Sequence, residues 1–144
     1  MNTIAKHILK ALLIEGIGAI ILASAFYTLF FSFAETIEFF EVLWLPILIG
    51  FLAMCFAAIF IGNSFSPRFN FKIWHGVVLV LVLLLIAIVT GVIATLLIPN
   101  WDSYDIIQSA ISVILIFLSF GGLPTLITGI WLGYRLKKIK YIKI

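Results

Sequence analysis

Residues 12–21, LLIEGIGAII, contain one carboxylate, Glu15, in an otherwise apolar run, and Gly16 and Gly18 follow it closely. An ionisable side chain inside a membrane-spanning segment is costly, and it is by default a candidate for binding a proton, a cation or a charged partner. Two interpretations of Glu15 are therefore open. It is either an acid near the membrane surface that pairs with a neighbouring cation, or a proton- or cation-binding site.

The spacing along the chain gives a first indication of how deep Glu15 lies. Lys10 precedes it by five residues, which corresponds to about 7.5 Å along a helix and places Glu15 about one turn inside the basic boundary. At that depth the carboxylate costs less than at the bilayer centre and can reach a cation. Lys10, Lys137 and Lys138 are the candidates for that ion pair.

A second chemically suggestive segment is SFGGLPT, residues 119–125. Pro124 lacks a backbone N–H, and Gly121 and Gly122 weaken the helix just before it, so this segment predicts a kink or a break near Gly121–Pro124. In many transporters, broken helices of this kind form the substrate site at mid-membrane. The alternative is a proline kink that lets a long helix fit, because membrane helices tolerate Gly and Pro where neighbours satisfy the freed groups.

Other catalytic chemistry is poorly represented in the chain. His7 and His75 have no cysteine or carboxylate at metal-ligand spacing, so neither a metal site nor another cofactor is expected. No phosphate-binding, dinucleotide or nucleophile-elbow motif occurs, and no enzymatic activity is expected. The single cysteine, Cys55, is interpreted as a small packing residue.

The elements that must position these residues are membrane-spanning helices. Hydrophobic residues make up 65% of the chain and charged residues only 10%, which excludes a soluble domain of ordinary composition. Four apolar runs, at about residues 11–33, 42–62, 75–98 and 106–134, are each long enough to cross a bilayer as a helix. We therefore predict an all-α integral membrane protein, in which residues 1–144 form one bundle of four transmembrane helices.

Charge then predicts the orientation of the bundle. All nine basic residues lie before the first run, between the second and third, or after the fourth, whereas every acid except Glu15 lies in the other two connections. Because Lys and Arg are retained on the cytoplasmic side, both termini are predicted to be cytoplasmic. The net charge of +3 is thus a topology signal and gives no support for nucleic-acid binding. The predicted location is a bacterial cytoplasmic membrane, with multiple passes.

The basic connection between the second and third runs, residues 63–75, alternates aromatic and basic side chains. Such a segment suits the surface of an anionic leaflet, and Arg68 and Lys72 are the candidate contacts for a lipid headgroup. The alternative is simple anchoring at the interface by the aromatic and basic side chains.

Each predicted helix also carries small residues at intervals of four or eight, which allow close helix packing in a membrane. Examples of these small residues are Gly50, Ala58, Gly62, Ala87, Gly91, Gly129 and Gly133. Together with the scarcity of polar groups, they favour a protein that acts by helix packing, as an accessory subunit of a membrane complex or as an immunity-type binding protein. The expected partners are the lipid bilayer and other membrane subunits or copies of itself. The alternative is a small proton- or cation-coupled transporter, or a flippase for a lipid-linked substrate, that uses Glu15 and the broken fourth helix.

Two local resemblances bear on this alternative. Glu15 and Gly18 resemble the first helix of the small multidrug resistance transporters, in which such a glutamate binds the proton and the cationic substrate in turn; Ile73–Val77, IWHGV, is similar to their third helix. The segment Arg68–Lys72, RFNFK, is similar in placement to the basic and aromatic segments of GtrA-like flippases. The chain departs from the first family in its charge bias and acidic connection, and from the second in lacking the asparagine-arginine signature.

The topology can be tested by cysteine labelling in a variant that lacks Cys55. Single cysteines at Thr36 and Ser103 should react with a membrane-impermeant reagent in intact cells, because the acidic connections are predicted to lie outside. A cysteine at Asn70 should react only after permeabilisation. Labelling of the Asn70 position in intact cells would reverse the predicted orientation.

Overall fold

The computed structural model describes residues 2–66, 69–96 and 103–139, and the described part of the chain is helical with short connections. The helices are α1, Thr3–Phe30; α2, Phe33–Ser64; α3, Ile73–Thr95; α4, Ser103–Ile116; a π-helical segment, Phe117–Gly121; and α5, Gly122–Ile139. Four stretches are long and apolar enough to cross a membrane: Thr3–Phe30, Leu43–Ser64, Ile73–Thr95 and Ala110–Lys138. The predicted all-helical class is confirmed, and so is the number of helices long and apolar enough to span a membrane.

The first two helices extend beyond the apolar runs because polar side chains cap them. The Asn2 side chain accepts a hydrogen bond from the Ala5 N–H at 2.8 Å, so α1 begins at Thr3 instead of near residue 11. Ser32 caps α2 in the same way, accepting from the Glu35 N–H at 3.2 Å. Consequently the acids at positions 35, 38 and 41 lie within α2, where their three-residue spacing places them near one another on the helix surface.

The fourth span remains helical through the segment in which the sequence predicts a kink or break. The departure from α geometry lies just before Pro124, where Phe117–Gly121 adopt the π-helical conformation, and Pro124 is the third residue of α5. Local π-helical adjustment is one way in which membrane helices satisfy the backbone groups that a proline leaves free. The predicted position of the irregularity and the observed π-helical segment therefore overlap at Gly121.

The four spans pack as a closed ring. Helix α2 lies between α1 and α3, α3 packs against α5, and α5 packs back against α1. The core is made of large apolar side chains from all four spans. Its fully or almost fully buried members include Ile8, Leu12, Met54, Val80, Leu83, Leu132 and Leu136.

Glycines bring the backbones of neighbouring spans into direct contact. A Cβ atom added at Gly62 would meet the backbone of Ala5, and one at Gly50 would lie 2.7 Å from the carbonyl oxygen of Ala87. A Cβ at Gly133 would meet the carbonyl oxygen of Ile73. The small residues that the sequence offers for packing are thus used within the bundle, at the α1–α2, α2–α3 and α3–α5 contacts.

Both described ends of the chain lie at the same end of the bundle. The Asn2 side chain donates to the carbonyl oxygen of Gly62 at 2.9 Å, and the Asn2 N–H donates to the Asn63 side chain at 3.0 Å. The beginning of α3 packs against the last turns of α5. We call this end the basic end, because its described cationic residues are Lys6, Lys10, Lys72, Arg135, Lys137 and Lys138.

We call the opposite end the acidic end, because it contains Glu35, Glu38 and Glu41 at the start of α2. Thr36 in the same turns is buried, and its hydroxyl donates to the Ser32 carbonyl oxygen at 2.9 Å. The exposed position Glu38 is therefore the better site for the external cysteine label on this helix.

Substitution of the contact glycines should lower the stability of the bundle. Gly133→Ala forces α5 away from the Ile73 carbonyl. It should lower the free energy of unfolding by about 1–3 kcal/mol, the usual cost of overpacking a core. Denaturant unfolding of the purified protein in detergent, followed by circular dichroism, measures this change.

Gly122→Ala is the matched control, because a Cβ at Gly122 has no neighbouring atom within 4 Å. Alanine is a better helix former than glycine, so this variant should be unchanged or more stable by up to about 1 kcal/mol. Equal effects of the two substitutions would contradict the close α3–α5 contact.

Candidate functional site

Glu15 is buried between α1 and α5, with only 2% of its surface exposed. Its Oε1 atom accepts a hydrogen bond from the hydroxyl of Thr125 at 2.5 Å, which joins residues 110 positions apart in the chain. Its Oε2 atom is also buried and has no hydrogen-bond partner among the described residues. A carboxyl group with one satisfied and one unsatisfied oxygen in an apolar core is an exception that requires a physical explanation.

The two glycines that follow Glu15 lie where α1 contacts its neighbouring spans. A Cβ added at Gly16 would lie 2.8 Å from the Phe51 ring of α2, and one at Gly18 would lie 3.6 Å from the Pro124 ring of α5. Gly16 therefore lets α1 approach Phe51 closely, whereas the space between Gly18 and Pro124 would hold a Cβ atom at ordinary contact distance. The segment EGIG that stands out in the sequence is the segment through which α1 packs at this level.

Thr125 is available to Glu15 because its hydroxyl does not bond to its own helix. Within helices, Thr hydroxyls commonly donate to the carbonyl oxygen three or four residues earlier. The Thr128 hydroxyl does so: it donates to the backbone carbonyl oxygen of Pro124 at 2.7 Å and to that of Thr125 at 3.2 Å. The Thr125 hydroxyl instead donates across to α1, so this is a tertiary hydrogen bond between two spans.

Measured along α1, Glu15 lies close to the middle of the helix. It is 12 residues from Thr3, about 18 Å along a helix whose full length is about 42 Å. Thr125 lies 14 residues from Ile139, about 21 Å from the end of α5. The carboxyl group is therefore close to half-way through the bundle, far from the charged residues of α5.

The candidate ion-pair partners do not share this position. Lys10, Lys137 and Lys138 are exposed, and the structure places Thr125 at the carboxyl group instead. The reason is helical geometry: residues five apart point about 140° away from each other around a helix, so Lys10 faces outward when Glu15 faces the core. This angle between Lys10 and Glu15 follows from the sequence and the geometry of a helix, but the distance along the helix does not show it.

The predicted irregular segment of the fourth span adjoins this site. Gly121 is buried with a Leu84 methyl group 3.2 Å from the position of a Cβ, Gly122 has open space beside it, and Pro124 lies against Gly18. Glu15, Thr125 and Pro124 are thus brought together, although they come from opposite ends of the chain. The sequence does not predict the pairing of Thr125 with Glu15, since nothing in the residues around Thr125 marks it as a partner for a carboxylate.

The π-helical segment also connects this site with the other spans. The Phe120 ring lies 5.5 Å from that of Phe26 and 6.2 Å from that of Tyr27 on α1, measured between ring centroids. The Phe117 ring packs into the α2–α3 contact, 3.2 Å from a Cβ at Gly50 and 3.4 Å from one at Gly91. A rearrangement of the π-helical turn would therefore move contacts on three neighbouring helices.

The headgroup candidates lie apart from Glu15. Lys72 is exposed at the basic end, where it lines an open groove together with Lys137, and Arg68 lies outside the described residues. Within the described residues, no cluster of three or more His, Cys, Asp or Glu side chains could hold a metal ion. The Glu15 site offers one carboxyl group and one hydroxyl, which suit a proton or, with further oxygen ligands, a small hard cation.

In comparisons with models of protein families, with curated proteins and with solved structures, the chain has no significant match. Functional inference therefore depends on the residues and their geometry.

The Glu15–Thr125 hydrogen bond can be measured with a double-mutant cycle. Thr125→Val removes the donor and leaves both carboxyl oxygens without a partner, so it should lower the free energy of unfolding by about 1–3 kcal/mol. In a Glu15→Met background the same substitution should cost much less, because no acceptor remains. The expected coupling is at least about 0.5 kcal/mol.

Thr128→Val is the matched control, since its hydroxyl donates only to backbone atoms of its own helix. It should have a similar effect with Glu15 or Met at position 15. A Thr125→Val cost that is the same in both backgrounds would contradict the tertiary hydrogen bond.

Proposed function

We propose that this protein is a small carrier in a bacterial cytoplasmic membrane and that Glu15 is the group that binds a proton or a small cation during transport. The observation that carries the proposal is the buried Oε2 atom of Glu15, which has no hydrogen-bond partner within the described part of the chain. An ionised carboxylate at mid-membrane costs at least about 2.5 kcal/mol on insertion scales. A helix that serves only for packing gains nothing from such a group.

The arrangement supports a binding role in two ways. Thr125 fixes one oxygen of the carboxyl group, which leaves the other free to take a proton or to coordinate a cation. Neutralised in this way, the group suits the apolar surroundings in which it lies, whereas the charged form is favoured only when water has access to it. Loading and release at Glu15 would therefore be coupled to opening of the bundle.

The fourth span provides the element that could open. π-Helical turns are concentrated at functional sites, and helices bend at them and at prolines. Here the π-helical segment Phe117–Gly121 leads directly into the first residues of α5. These include Gly122, Pro124 and, immediately after the proline, Thr125. We propose that the span kinks at this point during the transport cycle, which would move Thr125 relative to Glu15. If the same opening moves a lipid-linked substrate across the membrane, the protein acts as a flippase.

The orientation belongs to the proposal as well. The basic end of the bundle would face the cytoplasm and the acidic end the outside, because Lys and Arg near span ends are retained inside. Both termini would then be cytoplasmic. The clustering of the described cationic residues at one end of the bundle supports this placement.

A second candidate is a protein that acts by packing, as an accessory subunit or an immunity-type binding protein. It is favoured by the near-complete enclosure of Glu15 and by the closed ring of spans with an apolar exterior. Since the contact glycines are used inside the ring, a partner or a second copy would meet large exposed side chains such as Ile17, Ile21 and Phe56.

The two candidates are separated by a transport assay. Liposomes that contain the purified protein and an internal pH indicator should show protein-dependent proton flux when a cation gradient is applied. Glu15→Gln should reduce this flux to the level of protein-free liposomes, because glutamine cannot cycle a charge. Pro124→Ala should slow the flux with Glu15 intact, since it stiffens the helix beside the site.

Glu38→Gln is the control, because it removes the same charge from an exposed position at the acidic end; it should retain the flux. Flux that persists in Glu15→Gln would exclude Glu15 as the carrier group. A wild-type protein that shows no flux, but is purified in mild detergent with another membrane protein in fixed proportion, would favour the packing function.

A further inference from the structure

A groove of about 730 Å³ opens at the basic end, where the start of α3 meets the end of α5. Its lining residues are Asn70, Phe71, Lys72, Ile73, Trp74, Val77 and Lys137. The two lysines come from segments that are 65 positions apart in the chain, so only the tertiary structure brings them to one groove. Both side chains are exposed and can therefore reach a ligand in it.

The charge around this groove is positive. Of the four glutamates in the chain, Glu15 lies in the core and the other three belong to the acidic end. The groove is also lined by the first turn of α3, a 23-residue helix whose N-terminus carries a partial positive charge. An anionic group is consequently the complement of this surface, and the described residues bring no carboxylate to it.

The groove is apolar below the lysines. Trp74 is half-exposed there, and Val77 continues the lining one turn further along α3. Tryptophan side chains favour the headgroup level of a bilayer, where an apolar and an aqueous environment meet. A ligand that fits both parts has an anionic head and an apolar tail.

We propose that this groove binds the phosphate headgroup of an anionic phospholipid, with Lys72 and Lys137 contacting the phosphate and Trp74 and Val77 lying along the glycerol and the upper acyl chains. Basic pockets between membrane helices are suited to such headgroups. The inference rests on the proposed placement of the four spans in a membrane. The sequence alone predicts headgroup contacts at Arg68 and Lys72, which belong to one segment. The groove adds Lys137, which comes from α5.

The test is lipid binding by the purified full-length protein in detergent, measured by native mass spectrometry during titration with phosphatidylglycerol. Lys72→Gln and Lys137→Gln should each weaken binding about fivefold, and the double variant about 25-fold, because each basic residue near an anionic lipid contributes a comparable attraction. Phosphatidylcholine, which has no net charge, should bind much more weakly to the wild type.

The matched control is the double variant Lys6→Gln with Lys138→Gln. It removes the same charge from exposed positions at the basic end, and neither residue lines the groove. It should retain most of the phosphatidylglycerol binding, and circular dichroism should show equal helix content in both double variants. An equal loss in the two double variants would overturn the proposal, since it would show attraction to the whole basic end.

Two further measurements distinguish the source of the phosphate and the dependence on membrane placement. Displacement of phosphatidylglycerol by an equal concentration of inorganic phosphate would overturn the lipid assignment. Resistance of the protein to carbonate extraction from membranes, combined with equal binding of the two lipids, would refute the headgroup site alone. Release by carbonate would refute the membrane placement, and this inference with it.

Discussion

Close contact between helix backbones is the constraint on which the rest of this structure depends. In a membrane the lipid is as apolar as the side chains, so helices associate through packing and polar contacts in place of a hydrophobic drive. Here glycines provide that packing: Gly62 meets Ala5, Gly50 meets the Ala87 carbonyl, and Gly133 meets Ile73. With these contacts made, the four spans close into a ring, and many large apolar side chains remain exposed on its exterior.

The burial of Glu15 is a consequence of this packing. Gly16 allows α1 to lie close against Phe51 of α2, Gly18 contacts Pro124 of α5, and the side chain of Glu15 is enclosed at the level of Thr125. One hydrogen bond does not satisfy a carboxyl group, so the bundle retains an energetically unfavourable oxygen in its core. Proteins retain such local conflicts mainly at functional sites, and this is the reason for proposing Glu15 as the functional residue.

The lysine, arginine and glutamate side chains that the structure describes fall into three regions. The cationic residues of the described chain gather at one end, three acids lie at the start of α2 at the other, and Glu15 with Thr125 lies about half-way between. The proposed headgroup groove and the proposed carrier site therefore belong to different depths of the membrane. Lipid binding in the proposed groove would hold the beginning of α3 and the end of α5, and it would leave the π-helical segment Phe117–Gly121, which precedes α5, outside the contact.

The amino-acid sequence by itself determined the fold class and the number of spans, because the length and apolarity of a membrane helix are properties of a continuous segment. It also identified Glu15 as anomalous, since the cost of a buried charge is local, whereas the kink or break that it predicts near Gly121–Pro124 appears in the structure as a continuous helix with a π-helical segment at Phe117–Gly121. The sequence predicted the helix ends less accurately. Both α1 and α2 begin before their apolar runs, because Asn2 and Ser32 cap them.

Only the tertiary structure decided the partners of these residues. The burial of Glu15 and its hydrogen bond to Thr125 depend on how α1 is rotated and on which residues of α5 lie beside it, and the linear distance to Lys10 contains neither. In the same way, Lys72 and Lys137 become neighbours of one groove only when α3 packs against α5. A partner far along the chain is set by the packing of whole helices, and that packing is the sum of many contacts that no local segment specifies.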